Sequence, residues 1–231
     1  MKKHIPNAIT CCNLVSGCVA IVLALDGQLT ASLLAIIAGA VFDFFDGMTA
    51  RLLHVSSPIG KELDSLADVV TFGVAPPAIL FSTLAAHPTA GTLPSFLPYC
   101  AFLMAAFSAL RLAKFNLDER QTMGFIGLPT PANALFWGAL LAAWPSVVCS
   151  GEHTPFVLLA LMLLSCYLLV CELPMFALKF KTWVWRGNEV KYVFVLSCVP
   201  LIALFGLGAL AIIVAWYVVL SIAVFLTTHK S

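Results

Sequence analysis

The sequence predicts an all-α integral membrane protein, a polytopic bundle of about eight transmembrane helices with both termini in the cytoplasm. Of its 231 residues, 61% are hydrophobic and only 10% are charged, which excludes an ordinary soluble domain. Apolar stretches of about 18 or more residues, the length that crosses a bilayer as a helix, recur throughout the chain. We therefore expect a single membrane-embedded domain over residues 1–231.

The predicted spans follow one another with short connections. They lie at 8–26, 29–53, 59–86, 94–115, 128–149, 155–178, 190–206 and 209–227. The last two share one long apolar region, which the flexible Gly206-Leu207-Gly208 divides, so seven or nine spans are alternatives to eight. No cleavable signal peptide is expected, because the first apolar segment lacks a small-residue cleavage pattern.

The basic residues predict the orientation. With eight spans, all twelve fall on one side of the membrane, whereas seven spans would scatter them. They are Lys2, Lys3, Arg51, Lys61, Arg111, Lys114, Arg120, Lys179, Lys181, Arg186, Lys191 and Lys230. The positive-inside rule makes this side cytoplasmic, and so strong an asymmetry fits a prokaryotic inner membrane.

Two aspartate pairs lie inside predicted spans, Asp43 with Asp46 and Asp64 with Asp68. Spacings of three and four residues place each pair on one helix face. An aspartate near the centre of a membrane helix costs about 2.5–3.5 kcal/mol on insertion scales, so four of them require a positive partner. Four carboxylates without nearby histidine or cysteine favour a hard cation, Mg²⁺ or Mn²⁺ first. Structural ion pairs at helix ends are the alternative.

Small residues accompany the acids. Gly47 and Ala50 share the stripe of Asp43, and Gly60 lies one turn before the second pair. They would let a flat base and a pyrophosphate approach the helix backbone, but close packing of the two helices explains them equally well. Arg51 is placed to neutralise a phosphate or, alternatively, to anchor the helix at the interface. About 12 Å of helix separates Asp43 from Arg51, so the site is expected in the cytoplasmic leaflet, facing the cytoplasm.

The run from Asp43 to Asp68 resembles the signature of the CDP-alcohol phosphotransferases, integral membrane enzymes that make phospholipids. Every fixed position of Asp-x2-Asp-Gly-x2-Ala-Arg-x8-Gly-x3-Asp-x3-Asp is present. Phosphoryl transfer needs positive charge on the phosphate oxygens and alignment of the reacting groups, which two metal ions provide. The resemblance implies metal binding by Asp43, Asp46, Asp64 and Asp68, with Asp68 also the proton acceptor. It implies Mg²⁺ or Mn²⁺, with Ca²⁺ as a non-productive substitute, and a homodimer.

The resemblance also implies a binding site for CDP-diacylglycerol. The segment from Pro6 to Thr10 is similar to the Pro-Asn-x-x-Thr start common in the family, where Asn7 would contact ribose or phosphate. A helix cap is an equal alternative for this asparagine. Ser57 occupies the loop position where relatives contact the nucleotide lipid. The expected donor contacts are Asn7, Asp43, Gly47, Ala50, Arg51, Ser57 and Gly60.

Three further stretches, 63–76, 109–116 and 124–131, resemble bacterial type II phosphatidylserine synthases. The resemblance implies that CDP-diacylglycerol and L-serine are converted to phosphatidylserine and CMP. Serine brings a carboxylate and an ammonium, which call for a fork-shaped cation and oxygen acceptors. Arg111, Asn116 and Thr130 are the expected contacts. Glycerol 3-phosphate or inositol phosphate acceptors would also favour basic residues here, so charge alone does not decide.

An ion-coupled transporter is the competing class, because acids inside a membrane commonly mark an ion pathway. The acids here are crowded onto two consecutive helices near one face, and no inverted repeat is visible. The expected partners are therefore CDP-diacylglycerol, L-serine, CMP, membrane lipids and a second copy of the chain. Nucleic acid is not among them.

Overall fold

The computed structural model describes residues 4–55, 57–87, 94–118, 125–148, 151–176 and 188–228. Within them the regular secondary structure is helical apart from one short ladder of two strands. Seven of the basic residues used to predict the orientation lie outside the described residues: Lys2, Lys3, Arg120, Lys179, Lys181, Arg186 and Lys230.

The described part of the chain contains α-helices of very different lengths. They are α1 (His4–Leu25), α2 (Leu29–Leu52), α3 (Pro58–Asp68), α4 (Ala75–Ala85), α5 (Leu103–Leu117), α6 (Thr130–Ala143), α7 (Pro145–Val148), α8 (Thr154–Val170), α9 (Glu189–Phe205) and α10 (Ala209–Thr228). A π-helical turn at Val69–Val74 joins α3 to α4, and 3₁₀ turns at Leu97–Phe102 and Gly206–Gly208 precede α5 and α10. The strands are β1 (Phe125–Ile126) and β2 (Pro174–Met175).

Several helical stretches are long and apolar enough to cross a membrane. Among the described residues there are five: His4–Leu25, Leu29–Leu52, Pro58–Ala85, Leu97–Leu117 and Glu189–Thr227. The helical secondary structure and these five stretches confirm the prediction of an all-α membrane protein.

Two predicted spans are shorter as helices than their hydropathy indicated. The span predicted at 128–149 is divided at Trp144, because a residue before proline avoids helical backbone and Pro145 follows it. The span predicted at 155–178 ends as a helix at Val170, because the next residue is extended and the chain then enters β2.

The α1 helix is the element around which the site is built. It buries a stripe of small or polar residues spaced by three and four: Pro6, Thr10, Asn13, Gly17, Ala20 and Ala24. Such a stripe lets neighbouring backbones approach closely, and α1 contacts α2, α3, the π turn and α4. The Ser32 hydroxyl on α2 also donates to the Ala20 carbonyl at 2.7 Å. As a result α2 and α3, which carry the aspartates, flank the same face of α1.

The π turn begins directly after Asp68. Thr71, Phe72 and Gly73 within it are buried. A Cβ added to Gly17 of α1 would lie 2.7 Å from the Thr71 Cα, so α1 and the π turn are in backbone contact. A π turn inserts one residue into a helix, and such insertions are frequent at functional sites.

The two strands tie the loop before α6 to the end of α8. Phe125 pairs with Met175 and Ile126 with Pro174, antiparallel. Gly127 follows with φ of +73°, and a Cβ there would lie 2.8 Å from the Leu169 carbonyl oxygen. Glycine is required at this position both for its backbone conformation and for space.

Candidate active site

Three of the four predicted aspartates converge. One carboxylate oxygen from each of Asp43, Asp64 and Asp68 lies within 4.8 Å of the others. Asp43 comes from α2, while Asp64 and Asp68 come from successive turns of α3. The fourth, Asp46, is close enough to Asp64 for electrostatic interaction and is only 6% exposed. All four therefore belong to one acidic site.

A cavity of about 250 Å³ opens beside this site. Asp46 and Asp64 line one side of it. The other lining residues are Pro6, Asn7, Thr10, Gly47, Ala50, Val55, Ser57, Gly60 and Lys61. The structure thus brings most of the predicted donor contacts together, although they come from three helices.

Ser57 and Asn7 meet at the start of α3. The Ser57 hydroxyl accepts a hydrogen bond from the Gly60 backbone N–H at 3.0 Å, so Ser57 is the N-cap of α3, with Pro58 as its first residue. A Cβ added to Gly60 would lie 3.1 Å from Asn7 Oδ1 and 3.0 Å from Ser57 Oγ. Gly60 therefore fits tightly between two polar side chains at the edge of the cavity.

Gly47 differs from Gly60. Within 4 Å of a Cβ added at Gly47, the one neighbouring atom among the described residues is Arg51 Nη1, at 3.7 Å. Of the two explanations for this glycine, helix packing does not account for it within the described residues, whereas an open face on the cavity does. The Arg51 guanidinium reaches back one turn over that face.

The site also contains residues that were not among the predicted contacts. Asn13 is fully buried in α1, and its Nδ2 donates to Asp68 Oδ1 at 3.2 Å. Thr10 and Lys61 line the cavity. The signal for the two α1 residues was the Asn7, Thr10, Asn13 spacing, which places three polar side chains on one face of an apolar helix.

Arg111 and Thr130, two of the predicted serine contacts, touch each other. Arg111 is 6% exposed, and its Nη1 donates to Thr130 Oγ1 at 3.2 Å. Its carbon lies 5.0 Å from the centre of the Phe115 ring. Arg111 Nε and Nη2 are buried and donate to no described residue. Arg111 is also within electrostatic range of Asp68.

Asn116, the third predicted serine contact, is directed elsewhere. Its Nδ2 donates to Ser65 Oγ at 2.7 Å, and its backbone carbonyl accepts from Lys61 Nζ at 3.3 Å. Five residues of helix amount to about 500°, which turns Asn116 about 140° away from Arg111 and towards α3. Its role as a serine contact stays a prediction.

The acidic residues fit a hard divalent cation. Asp46 Oδ2 and Asp64 Oδ1 are buried and accept no hydrogen bond from a described residue. Carboxylates this close repel one another strongly in a buried setting unless a cation lies between them. Oxygen ligands alone, with neither histidine nor cysteine in the group, suit Mg²⁺, Mn²⁺ or Ca²⁺.

Comparisons with known proteins identify the family. The family model for CDP-alcohol phosphatidyltransferase matches residues 3–171 of this chain. A CDP-diacylglycerol–serine O-phosphatidyltransferase from Bacillus subtilis (strain 168) is 38% identical over 156 residues, which is 68% of this chain and 80% of the relative.

Proteins of the same name from two other organisms are also similar. The Mycobacterium leprae (strain TN) protein is 37% identical over 146 residues, 60% of this chain and 46% of its own length. The Methanocaldococcus jannaschii protein is 37% identical over 131 residues, 57% of each chain. The match therefore covers about half of these two relatives and 80% of the Bacillus protein. With the acidic signature, this similarity shows that the chain belongs to the CDP-alcohol phosphatidyltransferase family.

Proposed function

We propose that this protein is a phosphatidylserine synthase, which transfers the phosphatidyl group of CDP-diacylglycerol to the hydroxyl of L-serine and releases CMP. The observation that carries the proposal is the convergence of Asp43, Asp64 and Asp68 beside a polar cavity, with the buried Arg111 close by. The relatives that carry this name support the choice of serine.

The cavity would take the cytidine and pyrophosphate of the donor. Its volume of about 250 Å³ lies just below the range of about 300–1,000 Å³ typical of sites for whole ligands, which suits a polar head whose lipid chains remain outside. Gly47 and Ala50 would let the base lie against α2, and Asn7 and Ser57 supply polar atoms at the opposite edge. Arg51 would hold a phosphate by charge-assisted hydrogen bonds.

Asp43, Asp46, Asp64 and Asp68 would hold the divalent cations, which we propose are two Mg²⁺ or Mn²⁺ ions. Ca²⁺ would occupy the same oxygens without supporting turnover. When bound, the ions supply positive charge for the pyrophosphate oxygens in the transition state.

Asp68 would act as the general base. A carboxylate oxygen of Asp68 takes the proton from the serine hydroxyl, and the serine oxygen forms a bond to the phosphorus that bears the diacylglycerol. The bond from that phosphorus to the bridging oxygen breaks, and CMP leaves with that oxygen. General-base catalysis of this kind contributes about 10²–10⁴-fold to the rate.

The acceptor would be held by Arg111 and Thr130. The two uncommitted donors of Arg111, Nε and Nη2, suit the serine carboxylate, since a guanidinium can bind a carboxylate through two parallel hydrogen bonds. Its position near Asp68 would bring the serine hydroxyl towards the base. Asn116, through Ser65, would contribute by fixing α3 to α5.

We propose that the site faces the cytoplasm from a prokaryotic inner membrane, in a chain that crosses it eight times and forms a homodimer. The helix connections at 53–57 and after α5 would then lie on the side where nucleotide and serine are dissolved, and CDP-diacylglycerol would reach the site from the membrane.

The proposal is tested by incubating the purified protein with CDP-diacylglycerol, Mn²⁺ or Mg²⁺, and one acceptor at a time, and measuring CMP release. We expect release with L-serine, loss of release with a chelator, and recovery when the metal is restored. Release only with glycerol 3-phosphate or inositol phosphate would keep the acidic site and reject the serine pocket. Absence of release with every acceptor would reject the transferase assignment for this chain.

A further inference from the structure

Asn13 lies in the middle of a membrane helix, yet it is an amide. Its side chain is 0% exposed and lies on the same face of α1 as Thr10 and Gly17. Its only described side-chain hydrogen bond runs from Nδ2 to Asp68 Oδ1, at 3.2 Å and across 55 residues of sequence. Burying a polar side chain within a membrane costs free energy unless it has a hydrogen-bond partner. The bond to Asp68 therefore accounts for an asparagine at this position.

The amide is held in one orientation. The Thr71 hydroxyl donates to the Asn13 backbone carbonyl at 2.9 Å, which fixes this turn of α1 against the π turn. A Cβ added to Gly39 of α2 would lie 2.9 Å from Asn13 Oδ1, so α2 leaves little room beside the amide oxygen. Exchanging the amide oxygen and nitrogen would bring the oxygen against the Asp68 carboxylate, which is repulsive.

Only the donor half of the amide is used. Asn13 Oδ1 is buried and accepts no hydrogen bond from the described residues. An asparagine that served simply to join helices would gain by using both halves. The one-sided use indicates that its contribution is a directed N–H towards Asp68.

We propose that Asn13 is a positioning residue for the transfer reaction. By holding Asp68 Oδ1, it fixes the rotamer of this carboxylate and leaves Oδ2 for the proton of the acceptor hydroxyl. This inference rests on the proposed function, in which Asp68 is the base. Partners that orient a reacting or ligating group in this way typically contribute about 10- to 100-fold to activity.

The test compares Asn13→Leu, which removes the hydrogen bond from α1 to α3, with a control that removes a buried hydrogen bond between α1 and α2. Leucine has nearly the shape of asparagine but no donor. The control is Ser32→Ala, which removes the hydrogen bond from α2 to the Ala20 carbonyl of α1. CMP release is measured at varied CDP-diacylglycerol and L-serine, donor binding by calorimetry, and thermal unfolding in the same detergent.

We expect Asn13→Leu to lower kcat about 10- to 100-fold while the KM and Kd for CDP-diacylglycerol stay within about threefold of the parent values. Ser32→Ala should lose stability but keep its kcat. Asn13→Ala, which adds no bulk between α1 and α2, should show the same loss of kcat and provides the measurement if the leucine variant does not fold. The inference is overturned if either folded variant keeps the kcat of the control, or if the loss lies in donor affinity. An inactive parent protein would instead reject the proposed function.

Discussion

The Asp68 side chain contacts both the buried amide of α1 and the other carboxylates of the site. One of its oxygens accepts from Asn13, and the carboxylate lies with those of Asp43 and Asp64. Because Asp68 is the last residue of α3, immediately before the π turn, its direction depends on how that turn packs. A conservative substitution of Asp68 is therefore expected to change the rate of the chemical step more than the affinity for the substrates.

Replacing Asp68 by asparagine keeps the shape of the side chain and removes its ability to accept a proton. We expect CMP release to fall at least about 100-fold, as for loss of a general base. The Kd for CDP-diacylglycerol, measured by calorimetry with metal present, should change little because the cavity is lined by Asp46 and Asp64 instead. A near-parental rate would exclude Asp68 as the base.

Replacing Arg111 by alanine tests the acceptor pocket. We expect the KM for L-serine to rise about 10- to 100-fold, the effect of losing hydrogen bonds to a charged group, while the KM for the donor is unchanged. Lys114→Ala is the matched control, since it removes the same charge one turn along α5 from an exposed side chain. An unchanged serine KM in Arg111→Ala would move the acceptor pocket elsewhere.

At the level of residues, local spacing in the sequence predicts that the acids converge but does not predict which side chains contact them. The spacings within 43–68 are helix spacings, so the convergence of Asp43, Asp64 and Asp68 followed from local geometry and the helix pairing. Asn13 was missed because its partner is 55 positions away and no local pattern links the two. Asn116 was grouped with Arg111 because both lie in the stretch 109–116; its side chain is turned towards α3, and its role as a serine contact stays a prediction.

At the level of elements, the glycines of α1 and α2 have two different roles. Gly17 and Gly39 lie where neighbouring elements touch, and a Cβ on Gly39 would lie 2.5 Å from Thr71 Cγ2. Gly47 faces open space at the cavity. The sequence left close packing and ligand contact as equal explanations for Gly47, because the distinction depends on what lies opposite each glycine.

The distinction predicts different outcomes for the same substitution. Gly17→Ala should lower the free energy of unfolding by about 1–3 kcal/mol, since the new methyl meets the backbone of Thr71. Gly47→Ala should leave stability unchanged or slightly higher, because alanine favours a helix and no packed neighbour is displaced. Thermal unfolding in detergent compares the two variants. Equal loss of stability in both would show that Gly47 is also a packing residue.

The π turn is the element that hydropathy could not reveal. The sequence predicted one span at 59–86, and the structure has one continuous helical stretch there with Val69–Val74 wound differently. The change depends on the contacts of Thr71 with α1 and of Gly73 with Ser108 of α5. Such contacts appear only once the helices are packed.

For the whole molecule, the number of membrane crossings depends on the last apolar region. The stretch Glu189–Thr227 has 39 residues, or about 58 Å of helix, whereas the hydrocarbon core is about 30 Å thick. It divides at Gly206, where φ is +54°, and α9 packs back against α10. These features favour two crossings in this region, while the count of eight spans for the whole chain stays a prediction.

Reporter fusions test this arrangement. Alkaline phosphatase fused after Leu207 should be active, because the turn between α9 and α10 would lie outside the cytoplasm. Green fluorescent protein fused after Ser231 should fluoresce, since the carboxyl terminus would be cytoplasmic. An inactive phosphatase after Leu207 together with a fluorescent terminal fusion would show that α9 and α10 do not form two crossings and would reject the eight-span count.

The short β1–β2 ladder has a consequence for how the protein is divided into parts. The family match ends at residue 171, yet β2 lies beyond that point and pairs with β1, which lies within the match. Residues 172–231 are therefore not an interchangeable module. A hybrid that joined residues 1–171 to the tail of another protein would have to supply an extended segment just after α8, or the loop leading to Thr130 would lose its partner strand.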